Sequence, residues 1–127
     1  MLKEALLFLI VSLAVVVITE ARGRCDRNGA DGCSIPGKLP FFYKKRFKAA
    51  CNKHDICYYC GSARHVSRKS CDSYFLSNMK KTCNCLTPFC NRTAWVYYLA
   101  VRAGGHKYFQ NQSAWFCNQS WVPSCMK

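Results

Sequence analysis

The chain is short of acid. Its 127 residues carry six Asp and Glu against nineteen Lys and Arg, a net charge of +13. Both glutamates, Glu4 and Glu20, lie in the first twenty residues, so beyond them the only carboxylates are Asp26, Asp31, Asp55 and Asp72. That scarcity excludes a site built on a crowd of carboxylates and makes each aspartate a candidate for a specific task. Nor does the chain hold an apolar run long enough to span a bilayer. Residues 5–18 lack ionisable side chains, but that is fourteen residues where about 20 are needed. There is no internal repeat and no low-complexity tract, which excludes a solenoid or a linker-like chain.

What is present begins with the pattern of a secretory signal peptide. Lys3 precedes the apolar stretch, and Thr19-Glu20-Ala21 then puts small residues where a signal peptidase reads. Cleavage after Ala21 leaves one domain, residues 22–127, with eighteen basic side chains against four aspartates, a net charge of +14. All eleven cysteines lie in that domain, from Cys25 to Cys125, which in a chain this small means a disulfide framework and an extracellular compartment. Eleven is odd, so one thiol stays free, pairs with another chain or caps a small molecule. A surface this basic suits anionic partners: lipid headgroups, nucleic acid or sulfated glycans.

Residues 22–40 are rich in turn formers (Asn28-Gly29, Asp31-Gly32, Pro36-Gly37) and read as loop. Residues 41–59 hold no Gly or Pro, and apolar side chains recur there at helical spacing, which predicts a helix ended by Gly61. A second helix is predicted over about 67–82. A third is predicted from Thr87 as N-cap with Pro88 in its first turn, stopping at Gly104-Gly105. The tail from His106 reads as irregular and aromatic, held by Cys117 and Cys125, with its rings either in a core or at a membrane interface. The fold class is mainly α.

The informative run is Cys51-Asn52-Lys53-His54-Asp55-Ile56-Cys57-Tyr58. On a helix, Cys51 and Cys57 lie about one turn either side of His54, placed to staple it to neighbouring segments. Asp55 diverges from His54 by about 100° and cannot easily orient its ring, so it is free for another task, such as a cation. The orienting carboxylate must come from elsewhere, and Asp72 is the only other aspartate in a helical context. Asn91-Arg92-Thr93, Asn111-Gln112-Ser113 and Asn118-Gln119-Ser120 are glycosylation acceptors in pattern.

The run C-x-x-H-D-x-C-Y resembles the active-site helix of the secreted phospholipases A2. Asp31-Gly32-Cys33-Ser34 followed by Pro36 is similar to the calcium loop of the bacterial and fungal branches. Asp72-Ser73-Tyr74-Phe75 with Met79 is similar to their second catalytic helix, and Tyr97-Tyr98-Leu99-Ala100-Val101-Arg102 with Gly104 to their third. The whole pattern, cysteines included, most resembles the conodipines of marine snail venoms. The glycine-rich calcium loop of the larger animal enzymes is absent.

The resemblance implies a small disulfide-rich fold with two antiparallel helices carrying the active site, and calcium-dependent hydrolysis of the sn-2 ester by a secreted venom or defence enzyme. His54 would be the general base, Asp72 its partner and Tyr58 a tyrosine bonded to that aspartate. Asp31, Gly32 and Asp55 would hold calcium, whose preference is for oxygen ligands. The resemblance also implies the bridges Cys33–Cys51 and Cys57–Cys71. The partner it implies is a phospholipid surface, preferably anionic, rather than nucleic acid. The alternative is a non-catalytic basic toxin or receptor-binding protein on the same scaffold.

Overall fold

The computed structural model of the chain describes Cys25, Asp26, Cys33 and residues 42–127. The expected signal peptide and the expected calcium ligands Asp31 and Gly32 lie outside the described residues. Three helices make up the body: α1 (Lys48–Cys60), α2 (Arg68–Lys81) and α3 (Cys90–Gly104), followed by two 3₁₀ turns at Trp115–Asn118 and Pro123–Cys125. Among the described residues there is no strand, and no helix is long and apolar enough to cross a membrane.

Helix α1 starts later than the spacing predicts. Residues 42–47 form turns because Tyr43 adopts a left-handed backbone, φ 63°, which a right-handed helix cannot contain. Its hydroxyl donates to the carbonyl of Pro88, and its ring meets Phe47 at 5.9 Å, so tertiary contacts hold the strained turn. At the other end α1 stops before Gly61, where a Cβ would lie 2.7 Å from the Phe109 ring and from the Val66 carbonyl. Only glycine admits that close approach.

Helix α2 matches its predicted span closely. Ser67 is the N-cap, its hydroxyl accepting from the Ser70 N–H at 3.1 Å, and Lys80 and Lys81 sit favourably at the negative end of the helix dipole.

Helix α3 begins three residues beyond the predicted cap. The Thr87 hydroxyl turns back to Asn84, accepting from its N–H and donating to its carbonyl, both at 2.8 Å. Phe89, at φ 60°, is then the residue before the first helical one.

Helix α2 packs against both α1 and α3. Cys57 on α1 is bridged to Cys71 on α2, while His54, earlier on α1, stacks on Phe75, later on α2. The two helices are therefore antiparallel. One core cluster gathers Phe47, Phe75, Met79, Ala94 and Tyr97 between the three helices. A second joins the far end of α1 to the tail through Ile56, Tyr58, Phe116, Val122 and Met126. Of the tail's rings Phe116 is thus core, whereas Tyr108 and Trp115 are exposed.

Five disulfides supplement these small cores, each contributing about 2–4 kcal/mol. They are Cys25–Cys125, Cys33–Cys51, Cys57–Cys71, Cys60–Cys117 and Cys83–Cys90, and both bridges implied by the resemblance are among them. The eleventh cysteine, Cys85, is unbridged and exposed.

Candidate active site

The site forms where α1 and α2 are stapled. The Cys57–Cys71 bridge holds their backbones 5.6 Å apart at the Cα atoms, three residues beyond His54 and one before Asp72. Across that gap His54 Nε2 lies 2.7 Å from Asp72 Oδ1, and the Tyr58 hydroxyl donates to the same oxygen at 2.6 Å. Tyr58 shares the His54 face of α1 because the two are four residues apart, and their rings meet at 4.2 Å. Phe75 stacks on the imidazole from α2 at 4.5 Å, with an interplanar angle of 27°. The ring is thereby held between two aromatic side chains and a carboxylate.

Asp72 is fully buried, and a buried carboxylate must be compensated. Compensation comes from four side chains. Arg102, in the last turn of α3, donates to Oδ2 at 2.7 Å. Arg68, one turn before Asp72, lies 3.4 Å from the same oxygen and also donates to the carbonyls of Val101 and Arg102 at 3.0 and 3.3 Å. Arg68 thus ties the start of α2 to the end of α3 while facing Asp72.

Burial alone would push the Asp72 carboxyl up. The hydrogen bonds from His54, Tyr58 and Arg102 outweigh it and hold the group below its ordinary value. Burial pushes the Tyr58 phenol strongly upward, reinforced by its bond to Asp72, so Tyr58 stays a donor. The Arg102 guanidinium is raised by its bond to Asp72 and is a permanent cation.

These states settle the imidazole's tautomer. An ionised carboxylate only accepts, so Nε2 carries the hydrogen and donates to Oδ1. In the neutral ring Nδ1 then keeps its lone pair. The arrangement can take a proton at Nδ1 and stabilise the resulting cation through Asp72.

Tyr58 itself is positioned from below. Gly105, just past α3, lies against its hydroxyl so closely that a Cβ there would collide with it and with the Val101 carbonyl.

Asp55 follows His54 on α1 and is half-buried. It lies four residues after Cys51, which is bridged to Cys33 with the Cα atoms 5.0 Å apart. That bridge brings the chain next to Asp31 and Gly32 to the helix that carries Asp55. Among the described residues no group of three or more His, Cys, Asp or Glu is placed to hold a metal ion. Of the expected calcium ligands only Asp55 lies among the described residues, one carboxylate beside the dyad on α1. Of the other aspartates, Asp26 accepts a hydrogen bond from the buried Asn52 one turn before Asp55, a structural task. His65 and His106 are exposed, apart from the dyad.

Sequence reasoning did not anticipate Arg68 and Arg102. Arg68 carried a signal, since it precedes Asp72 by four residues on one helix. Arg102 carried none, because its contact exists only through the packing of α3 on α2.

Residues 18–105 match a family model described as prokaryotic phospholipase A2. Among curated proteins, Conodipine-P2 from Conus purpurascens is 38% identical over 68 residues, which is 54% of this chain and 36% of that protein. Conodipine-P3 from the same snail is 37% identical over the same shares. The Conodipine-M alpha chain from Conus magus is 36% identical over 55 residues, 42% of this chain and 69% of that one. The chain thus spans a little over a third of the length of the first of these relatives. No solved structure matches it.

Proposed function

The chain belongs to the prokaryotic phospholipase A2 family, and from that membership we propose that it is a secreted enzyme hydrolysing the sn-2 ester of membrane phospholipids. One observation carries the reading. His54 Nε2 lies 2.7 Å from the buried Asp72 carboxyl, an arrangement in which Nε2–H donates to the carboxylate and Nδ1 is left as the base.

His54 removes a proton from a water at Nδ1 as that water's oxygen attacks the ester carbonyl. Asp72 keeps the tautomer and stabilises the imidazolium, and Tyr58, Arg68 and Arg102 keep Asp72 ionised, so the proton stays on the ring. The ester C–O bond then breaks, and His54 returns the proton to the departing lysophospholipid oxygen. Fatty acid and lysophospholipid are the products, and no serine nucleophile or acyl-enzyme is involved.

Calcium, when bound, would polarise the ester carbonyl as a Lewis acid. Asp55 would hold it together with Asp31 and a backbone carbonyl at Gly32, the hard oxygen donors that such a cation takes.

The test is fatty-acid release from mixed phospholipid vesicles, with calcium and with excess chelator, for the wild type and His54→Gln. Calcium-dependent release that His54→Gln abolishes is the expected result. Full release in chelator overturns the calcium assignment. No release under any condition leaves the scaffold as that of a non-catalytic basic protein.

A further inference from the structure

Helix α3 is apolar on the side that should be polar. Its inner face is set by Cys90, Ala94, Tyr97 and Val101, all buried. At about 100° per residue the opposite side is made of Arg92, Trp95, Val96, Leu99 and Ala103. A helix with one side on a core normally turns charged and polar residues outward. Here three of those five positions are large and apolar, with Val96 50% and Leu99 60% exposed. Phe89, the residue before the helix start, is 70% exposed and lies beside Arg92 of that face. Trp95, Val96 and Leu99 are neighbours at helical spacing, so they form one exposed patch rather than scattered side chains, the kind that marks an interaction site.

The charges beside it are of one sign. The Lys80 ammonium sits over the Trp95 ring at 5.6 Å, and the Arg92 guanidinium over the Phe89 ring at 5.7 Å. Helix α3 contains no acidic residue, and the only one in α2 is the buried Asp72. A surface of Trp, Phe, Leu and Val flanked by cations complements an anionic bilayer: the apolar side chains enter the acyl boundary while Lys and Arg meet phosphate. A second copy of this chain is a poor occupant, since it would set cations against cations.

We infer that the outer face of α3, with Phe89, is the surface by which the protein docks on an anionic phospholipid bilayer. The inference rests on the proposed function, in which such a bilayer carries the substrate.

The experiment measures co-sedimentation with phosphatidylglycerol and phosphatidylcholine vesicles in excess chelator, where docking is read without turnover. Every form carries Asn91→Gln, because Asn91 is a glycosylation acceptor at the rim of the stripe. Val96→Asp with Leu99→Asp should weaken binding to phosphatidylglycerol vesicles by about tenfold or more, because each change removes an apolar contact and adds repulsion. Its helical circular dichroism reports the fold. As a second variant, Trp95→Phe should abolish most of the tryptophan quenching by brominated acyl chains.

On fatty-acid release with calcium restored, the loss for the double variant on vesicles should exceed any loss on a dispersed short-chain substrate. Unchanged vesicle binding by a folded double variant overturns the inference, as does lipid quenching that persists in Trp95→Phe. A wild-type dimer that the double variant breaks, with vesicle binding retained, assigns the face to a second copy instead. Wild type that binds through this face but hydrolyses nothing refutes the enzymatic reading and leaves docking standing.

Discussion

Gly105 offers a sharp test of how the dyad is supported. Its backbone is ordinary, φ −81° and ψ −15°, so alanine meets no conformational bar. At such a position Gly→Ala usually stabilises, by about 0.4–1 kcal/mol, through the entropy of the unfolded chain. Here the added methyl would overlap the Tyr58 hydroxyl and the Val101 carbonyl. Forcing a methyl into a packed place costs about 1–3 kcal/mol, which exceeds the entropic gain and reverses the sign. Tyr58 is the side chain that can move, and moving it breaks the 2.6 Å bond to Asp72.

Gly105→Ala should therefore lower both stability in urea and turnover on a dispersed substrate. Tyr58→Phe removes the hydroxyl and its bond to a charged group, a loss of about 1.5–3 kcal/mol. Combined with Gly105→Ala it should lose less than the two costs together, because one of the two overlaps has gone while that with Val101 remains. Urea midpoints of the four proteins measure the coupling. A Gly105→Ala protein as stable as wild type, or a double variant additive within about 0.3–0.5 kcal/mol, would refute the reasoning.

The two helical aspartates should separate by calorimetry and kinetics: Asp55→Asn loses calcium affinity, while Asp72→Asn keeps it and loses turnover. The opposite pattern reverses the proposed roles. Arg102→Met should destabilise by about 1.5–3 kcal/mol at neutral pH through loss of a charged hydrogen bond. The Asp72 carboxyl lies below its ordinary 3.8 in the fold, so the stability it contributes is present above that value and lost as pH falls through the folded one. The gap between Arg102→Met and wild type should accordingly narrow on acidification, and urea midpoints across pH would show it. Hydrolysis should be faster on anionic than on zwitterionic vesicles and should slow as salt rises. Each Lys or Arg near the surface contributes about 1 kcal/mol within a Debye length of ~8 Å, and equal rates on both vesicles at low salt would contradict the charge argument.

The three helices were legible because long stretches without Gly or Pro carry apolar residues at helical spacing. The starts of α1 and α3 were not. Tyr43 and Phe89 hold left-handed backbones that aromatic residues seldom adopt, and only tertiary contacts such as Tyr43 to Pro88 make that tolerable. Thr87 has the composition of a cap, yet its hydroxyl is spent on Asn84, a choice that depends on the Cys83–Cys90 loop around it. The meeting of His54, Tyr58 and Asp72 could be anticipated because motif and bridges converge on it. The second oxygen of Asp72 could not, since Arg102 reaches it from a helix thirty residues away in sequence. The outward stripe of α3 was visible as letters, but which side faced out depended on packing.

The bridge pattern bears on what an intact molecule means. Each connection between helices, and the stretch from α3 to the tail, is spanned by at least two disulfides, Cys25–Cys125 and Cys60–Cys117 among them. A protease that cuts one exposed loop once therefore releases no fragment. Both pieces remain one particle until a reductant is added, and His54 and Asp72 stay on helices joined at Cys57–Cys71 even when the peptide between them is severed. Backbone continuity and the linkage of the two dyad helices are separable in this scaffold. A preparation that migrates as one band without reductant and as two with it still has His54 and Asp72 on bridged helices.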